Sequence, residues 1–300
     1  MWKTNDIVIR DPFIVPCRDP FIVPCREEKV YYMFGSTFSF FAKKPGMFPP
    51  LGFYHFKSRD LKEWEGPFPS FIPDENFWAD RDFWAPEVHE YKGKYYMFAS
   101  FKRDGVCRGT QILVSDTLDG RFQPLTEGPV TPREWECLDG TLYVDEKDIP
   151  YIVFCHEWAQ VHDGEILAMQ LTHDLKYAAG DPFLLFKASE AGWCCEYPRP
   201  GNFVTDGPFL FRRDGKLNML WSSFYNGKYT MGCAYSSNGK ITGDWIQEKE
   251  LVFTEDGGHG MLFRTWDGKE YFSLHQPNSS TEHPFFLDAE RYFASRGSCE

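Results

Sequence analysis

Apolar and polar positions along this chain alternate in short runs, and the runs come in pairs. A strand-like stretch rich in aromatic residues follows a short charged turn five times: EEKVYYMFGS (27–36), KGKYYMFAS (92–100), EKDIPYIVFC (146–155), RDGKLNMLWSS (213–223) and WDGKEYFSLH (266–275). Each is preceded by a second apolar run: RDPFIVPC, WAPEVHEY, DGTLYVDE, DGPFLFRR and GHGMLFRT. Two such runs joined by a few polar residues, several with Gly, predict a β-hairpin. Further stretches such as GFYHFKSRDLKEWEG and TMGCAYSSNGKITGDWIQ supply a third strand, a turn and a short fourth strand. Five units of four antiparallel strands, repeating at roughly 60 residues, predict an all-β fold, a five-bladed β-propeller with four-stranded antiparallel blades. A β-sandwich also carries alternating aromatics, but it does not require five matching hairpins in order. Helical periodicity is lacking over any long stretch. No linker interrupts the pattern, so residues 1–300 are expected to form a single propeller domain.

Composition adds the aromatic share, 18%, with 29 Phe, 15 Tyr and 10 Trp. Aromatic residues favour strands, and exposed ones stack on flat ligands such as sugar rings. The formal net charge of −12 argues against nucleic acid or an anionic membrane surface as partner, because phosphate contacts need a basic surface. No stretch is long and apolar enough for a transmembrane helix. The start MWKTNDIVIRDPF lacks the apolar run of a signal peptide. The expected location of the chain as given is cytoplasmic, secretion after removal of a leader being compatible. Nine Cys without a CxxC pair or zinc-site spacing read as reduced and structural.

In a propeller the first strand of each blade lines the central channel, and the strand starts converge on one end of it. Three of the five starts carry an Asp: Asp19, Asp139 and Asp206. Each alone fits a turn residue. Three at matching places in a repeat put like charges around one cavity, a costly arrangement that fits glycoside hydrolysis. There one carboxylate activates water and a second, held protonated, protonates the leaving oxygen. Trp84 and Phe83 are the natural stacking platform for a sugar, with burial between blades as the alternative. His259 lines the site, holds a central cation through water, or is a packed core histidine. His156, with Glu157 and Trp158, ends the second strand of the third unit and borders the same region.

These residues resemble glycoside hydrolase family 43, the family of arabinofuranosidases, β-xylosidases and arabinanases, over nearly the whole chain. Arg18-Asp19-Pro20 is similar to its first-blade motif, and Phe83-Trp84-Ala85-Pro86-Glu87-Val88 to its second-blade signature. Leu138-Asp139-Gly140 with Tyr143-Val144-Asp145 is similar to the third-blade motif, and Gly258-His259-Gly260 to the fifth-blade motif. The resemblance implies Asp19 as general base, Asp139 as the residue that tunes and orients the acid, and Asp206 as general acid. It also implies inversion of configuration, no required cofactor, and a carbohydrate as partner. A structural calcium at the channel centre, near His259, is the one candidate ion.

Two departures stand out. The fourth-blade motif of the family begins with Glu, whereas this chain has Val204-Thr205-Asp206-Gly207-Pro208. The shorter side chain sets the carboxyl back by about 1.5 Å on an unchanged backbone, and Glu196 in the preceding loop is the fallback proton donor. Residues 10–17 and 18–25 both read RDPFIVPC, so Asp11 duplicates Asp19. Asp19 is preferred because its copy runs straight into the turn 26–29 and its partner strand. Beyond Glu282-His283-Pro284, the tail ERYFASRGSCE (290–300) shows no strand pattern, which leaves ring closure to the N-terminal segment as one route. The expected activity is release of α-L-arabinofuranosyl or β-D-xylosyl units from plant-type saccharides. The alternatives are a catalytically impaired carbohydrate-binding propeller, or a related propeller glycosidase or phosphorylase acting on another sugar.

Overall fold

The computed structural model describes residues 8–9, 17–36, 51–279 and 282–296. They form five antiparallel sheets arranged as the blades of a propeller. The first blade contains β2 (Arg18–Cys25), β3 (Val30–Ser36), β4 (Phe53–Ser58) and β5 (Glu63–Phe71), with β1 (Val8–Ile9) running parallel along the outer edge of β5. The second contains β6 (Arg81–Tyr91), β7 (Lys94–Arg103), β8 (Val106–Ser115) and β9 (Gln123–Pro124). The third contains β10 (Cys137–Val144), β11 (Pro150–His156), β12 (Glu165–Gln170) and β13 (Phe183–Lys187); α1 (Trp158–Val161) follows β11. The fourth contains β14 (Asp206–Arg213), β15 (Lys216–Tyr225), β16 (Lys228–Ser236) and β17 (Trp245–Gln247). The fifth has three strands, β18 (Gly258–Arg264), β19 (Glu270–Gln276) and β20 (His283–Asp288), followed by α2 (Ala289–Arg296).

The hairpins follow from turn chemistry. Arg213 pairs with Lys216 and Tyr225 with Lys228, leaving the two-residue turns Asp214-Gly215 and Asn226-Gly227. All four of these turn residues have positive φ, as a type I′ turn requires. The second copy of the duplicated motif forms β2, joined to β3 by the turn at 26–29 with Cys25 opposite Val30. Asp11 lies outside the described residues.

The aromatic residues sit mainly between blades rather than at the surface. Phe53, Phe71, Phe83 and Phe101 interlock between the first two blades, Phe83 and Phe101 edge-to-face at 4.9 Å. Trp193, Phe186 and Trp221 do the same between the third and fourth blades. Wedge-shaped gaps between twisted sheets are broad, and large flat rings fill them at low side-chain entropy cost.

The ring closes without strand exchange. Among the described residues, no strand is shared between the first and last blades. β1 pairs at the outer edge of the first blade and with no strand of the fifth, and the rest of the N-terminal segment expected as one route to closure, residues 1–7 and 10–16, lies outside the described residues. Closure rests on side-chain contacts instead. The Ser273 hydroxyl donates to the Pro20 carbonyl at 2.6 Å, and Tyr31 stacks on Trp266 at 4.6 Å. The tail that lacks a strand pattern is helical as α2, with Tyr292 and Phe293 packed on Phe272.

Candidate active site

All five first strands carry the same irregularity. Between Arg18 and Phe21, Trp84 and Glu87, Leu138 and Thr141, Asp206 and Phe209, and Gly258 and Met261, three steps on the inner strand face two on its partner. Each is a β-bulge, a device that re-aims side chains at the end of a strand. The second residue of each bulge is left-handed: Asp19 (φ 55°), Ala85 (47°), Asp139 (55°), Gly207 (54°) and His259 (53°). Asp and Gly tolerate this conformation well.

The amide of each bulge residue is taken up by the preceding blade. Ala85 N–H donates to Ser36 Oγ at 2.7 Å, Asp139 N–H to Ser100 Oγ at 2.9 Å, and His259 N–H to Ser222 Oγ at 2.8 Å. Asp19 N–H donates to His275 Nδ1 at 3.3 Å, across the ring closure. These acceptors occupy one repeated position, opposite the residue that precedes the bulge. In the third blade that position is Cys155, and the Gly207 N–H goes to Asp139 Oδ2 at 3.0 Å instead. A carboxylate expected to face the site is thereby tied to the backbone that carries Asp206. A Cβ at Gly207 would also lie 2.6 Å from the His259 ring, so only glycine fits there.

The bulges open onto a cavity of about 480 Å³ lined by Asp19, Asp139, Asp206, His259, Trp84 and Arg18, among others. Asp19 Oδ2 accepts from Ser36 Oγ at 2.6 Å, and its Oδ1 lies 3.2 Å from His259 Nδ1 and 3.3 Å from His275 Nδ1. Burial pushes the Asp19 carboxyl up, but the charges of His259 and of the Arg18 guanidinium hold it well below the usual range. Burial pushes Asp139 up to about 8, against the pull of His259 and with the repulsion of Asp206 and Asp19 added. Asp206 is also raised, first by burial; His259, the Tyr229 hydroxyl at 3.1 Å and Arg18 oppose the rise. His259 is raised despite burial because Asp19, Asp139 and Asp206 surround it. Burial lowers His275, consistent with a neutral ring whose Nδ1 accepts the Asp19 amide. Among the three aspartates of the cavity, Asp19 thus favours the ionised form while Asp139 and Asp206 resist ionisation, and His259 between them favours its protonated form.

Several expected positions change. Asp206 is not the counterpart of Asp19 and Asp139. It precedes the bulge, in the position of Arg18, Trp84 and Leu138, and Gly207 takes the left-handed place. Phe83 is not a platform for sugar; at 2% exposure it belongs to the packing between blades. His156 does not line the cavity. It stacks on Trp135 at 4.6 Å, with Nδ1 3.0 Å from Glu165 and Nε2 2.8 Å from Gln160. Glu196 is exposed in its loop and outside the cavity wall, while its neighbour Tyr197 is part of it.

Trp84 does line the cavity. The Arg108 guanidinium covers its ring at 3.9 Å, and is fixed by Asp82 at 3.1 Å and Glu157 at 3.5 Å. Arg18, Tyr229 and Glu282 are site residues that sequence reasoning missed. Arg18 was within reach of it, because it adjoins Asp19 in a motif that resembles a family signature. Tyr229 carries no such signal, lying on β16 with no charge or turn to mark it.

The sequence profile of glycosyl hydrolases family 43 matches residues 9–292. An endo-arabinase from Bacteroides thetaiotaomicron VPI-5482 is 44% identical, with 93% of this chain and 97% of that one covered at a TM-score of 0.83. An endo-1,4-beta-xylanase from the same organism shares the fold at 22% identity and a TM-score of 0.74, over 96% and 92% of the two chains. An extracellular exo-alpha-(1->5)-L-arabinofuranosidase of Cellvibrio japonicus (strain Ueda107) is 22% identical, over 80% of this chain and 76% of that protein. Among the described residues no helix is long and apolar enough to cross a membrane. With the family profile matched over nearly the whole chain and five matching blades around one acidic cavity, this chain belongs to glycosyl hydrolases family 43 and is a glycosidase of O-glycosyl bonds.

Proposed function

We propose that this glycosidase cleaves α-L-arabinofuranosyl linkages with inversion of configuration, Asp19 serving as base and Asp206 as acid. The observation that carries this reading is the split in charge state within one cavity. Asp19 is held ionised by His259 and Arg18, while burial raises Asp139 to about 8 and moves Asp206 in the same direction. An ionised carboxylate is ready to take a proton from water, and a protonated one is ready to give a proton to the leaving oxygen. Asp139 accepts the amide of Gly207, the residue next to Asp206, and so orients the acid. Trp84, its far face braced by Arg108, walls the terminal sugar. The arabinan-directed relatives favour arabinofuranosyl over xylosyl as the unit released.

Among the described residues no group of three or more His, Cys, Asp or Glu side chains is placed to cage a metal ion. The buried Nε2 of His259 has no hydrogen-bond partner there.

The test is hydrolysis of nitrophenyl α-L-arabinofuranoside, nitrophenyl β-D-xyloside and linear arabinan, with proton NMR of the first-formed anomer. The expected result is turnover of the arabinosyl substrates, inverted product, and a loss of 10²–10⁴-fold in Asp19→Asn, the usual worth of general base catalysis. A retained anomer, or no turnover on any of the three, overturns the reading. The shorter arm of Asp206 favours a second reading, a saccharide-binding propeller without turnover, and the same assay separates the two.

A further inference from the structure

The second blade carries another cavity, of about 210 Å³, bounded by Trp78, Arg103, Arg108, Glu127, Pro129 and Arg133, among others. It adjoins the active site through a single side chain. Arg108 lines this cavity and also touches Trp84 and Glu157, which line the first. The Arg108 guanidinium and the Trp84 indole it covers therefore stand between the two cavities.

Its chemistry differs from that of the active site. The Trp78 indole is fixed, with Nε1–H donating to Gln111 Oε1 at 2.6 Å and Gln111 Nε2–H donating to the Thr126 carbonyl at 2.6 Å. Arg103 Nη1–H donates to the Trp78 carbonyl at 3.3 Å and pairs with no carboxylate among the described residues. Arg133 makes no hydrogen bond or ion pair among them. The charge of Arg108 is already balanced by Asp82 and Glu157. Glu127 is the one carboxylate that lines the cavity, with Glu134 and Glu136 close enough to act on Cys107 in its wall, in a chain where 44 carboxylates outnumber 32 cationic side chains. Two unpaired guanidiniums beside a fixed indole suit a planar carboxylate attached to an apolar ring face.

We propose that this cavity is a subsite for a uronic acid residue of the polysaccharide whose furanosyl units the active site releases. Arg103 and Arg133 bind the sugar carboxylate, and Trp78 packs against the ring. The assignment of the chain carrying the furanosyl units rests on the function proposed above. The net negative charge of the protein repels a polyanion as a whole, and this pocket admits a single acidic residue locally.

The experiment is calorimetric titration of the catalytically silenced Asp19→Asn protein with digalacturonic acid, a neutral digalactoside, sodium acetate and inorganic phosphate. The expected result is saturable binding of digalacturonic acid alone, weakened at least tenfold by adding Arg103→Ala and Arg133→Ala and weakened by salt. Equal binding of the neutral sugar, equal binding of acetate or phosphate, or indifference to the two arginine substitutions overturns the proposal. The arginine pair is also changed in the active protein, where turnover of nitrophenyl arabinofuranoside is expected to stay unchanged. Loss of that turnover in the unaltered protein would count against the proposed function, while the titration still reads the subsite.

Discussion

His259 Nδ1 lies 3.2 Å from Asp19 Oδ1, at the left-handed turn of its own bulge, and 3.7 Å from Asp139 Oδ2. One imidazolium thus holds two carboxyls of opposite proposed duty. It keeps Asp19 ionised, and it restrains how far burial raises Asp139 and Asp206. Replacing it with Asn, which tolerates the same backbone, removes a positive charge from all three. The Asp19 pKa rises, so the acidic limb of the kcat/KM profile moves up. The pKa values of Asp139 and Asp206 rise too, so the alkaline limb moves up with it. A displacement of the whole bell by about one pH unit or more is expected, the scale of an opposite charge within a few ångströms. An unmoved profile would mean that His259 carries no charge in the working enzyme.

Asp206 separates chemistry from leaving-group quality. A general acid matters most when the departing oxygen is a poor leaving group. Asp206→Ala is expected to lower kcat on arabino-oligosaccharides by 10²–10⁴-fold, and on a dinitrophenyl arabinofuranoside by less than about tenfold. Equal losses on both substrates would remove Asp206 from the role of proton donor.

Asp139 makes stability depend on pH in an unusual direction. In the unfolded chain it loses its proton near the ordinary aspartate value of 3.8, and in the fold it keeps the proton up to about 8. Between those values the native state binds the extra proton, so stability falls as pH rises, by up to about 1.4 kcal/mol per pH unit. Asp139→Asn removes the titration, and its Oδ1 still accepts the Gly207 amide. Denaturant melts at pH 5 and pH 8 are expected to differ less in the variant than in the parent protein, with kcat lost at both.

Phe83 and Trp84 are adjacent in sequence and opposite in consequence. Phe83→Ala empties a site between blades and is expected to cost about 3–5 kcal/mol in unfolding free energy with KM preserved. Trp84→Ala is expected to raise KM and to free the Arg108 guanidinium that rests on the indole. Chemical denaturation beside steady-state kinetics of the two variants checks both.

The propeller was legible because a two-residue period and five charged turns are local properties, written in the order of the residues. Asp19 and Asp139 were legible as partners because they recur at one place in that repeat. The offset of Asp206 was also in the sequence. Aligning Asp19-Pro20, Ala85-Pro86 and Gly207-Pro208 on their prolines puts Gly207, not Asp206, opposite Asp19. Both Phe83 and Trp84 were read as facing the site, and which of the two turns inward was not legible, because a bulge reverses which neighbour faces the channel. His156 read as a site residue because it ends an inner-blade strand, yet Trp135, Glu165 and Gln160 satisfy it away from the cavity. Local pattern determined the blades and the candidate acids. Only the closed ring decided which acids meet, which are charged and which amide binds which carboxylate. Those outcomes depend on groups far apart in the chain, such as Asp19 and His275, being buried together.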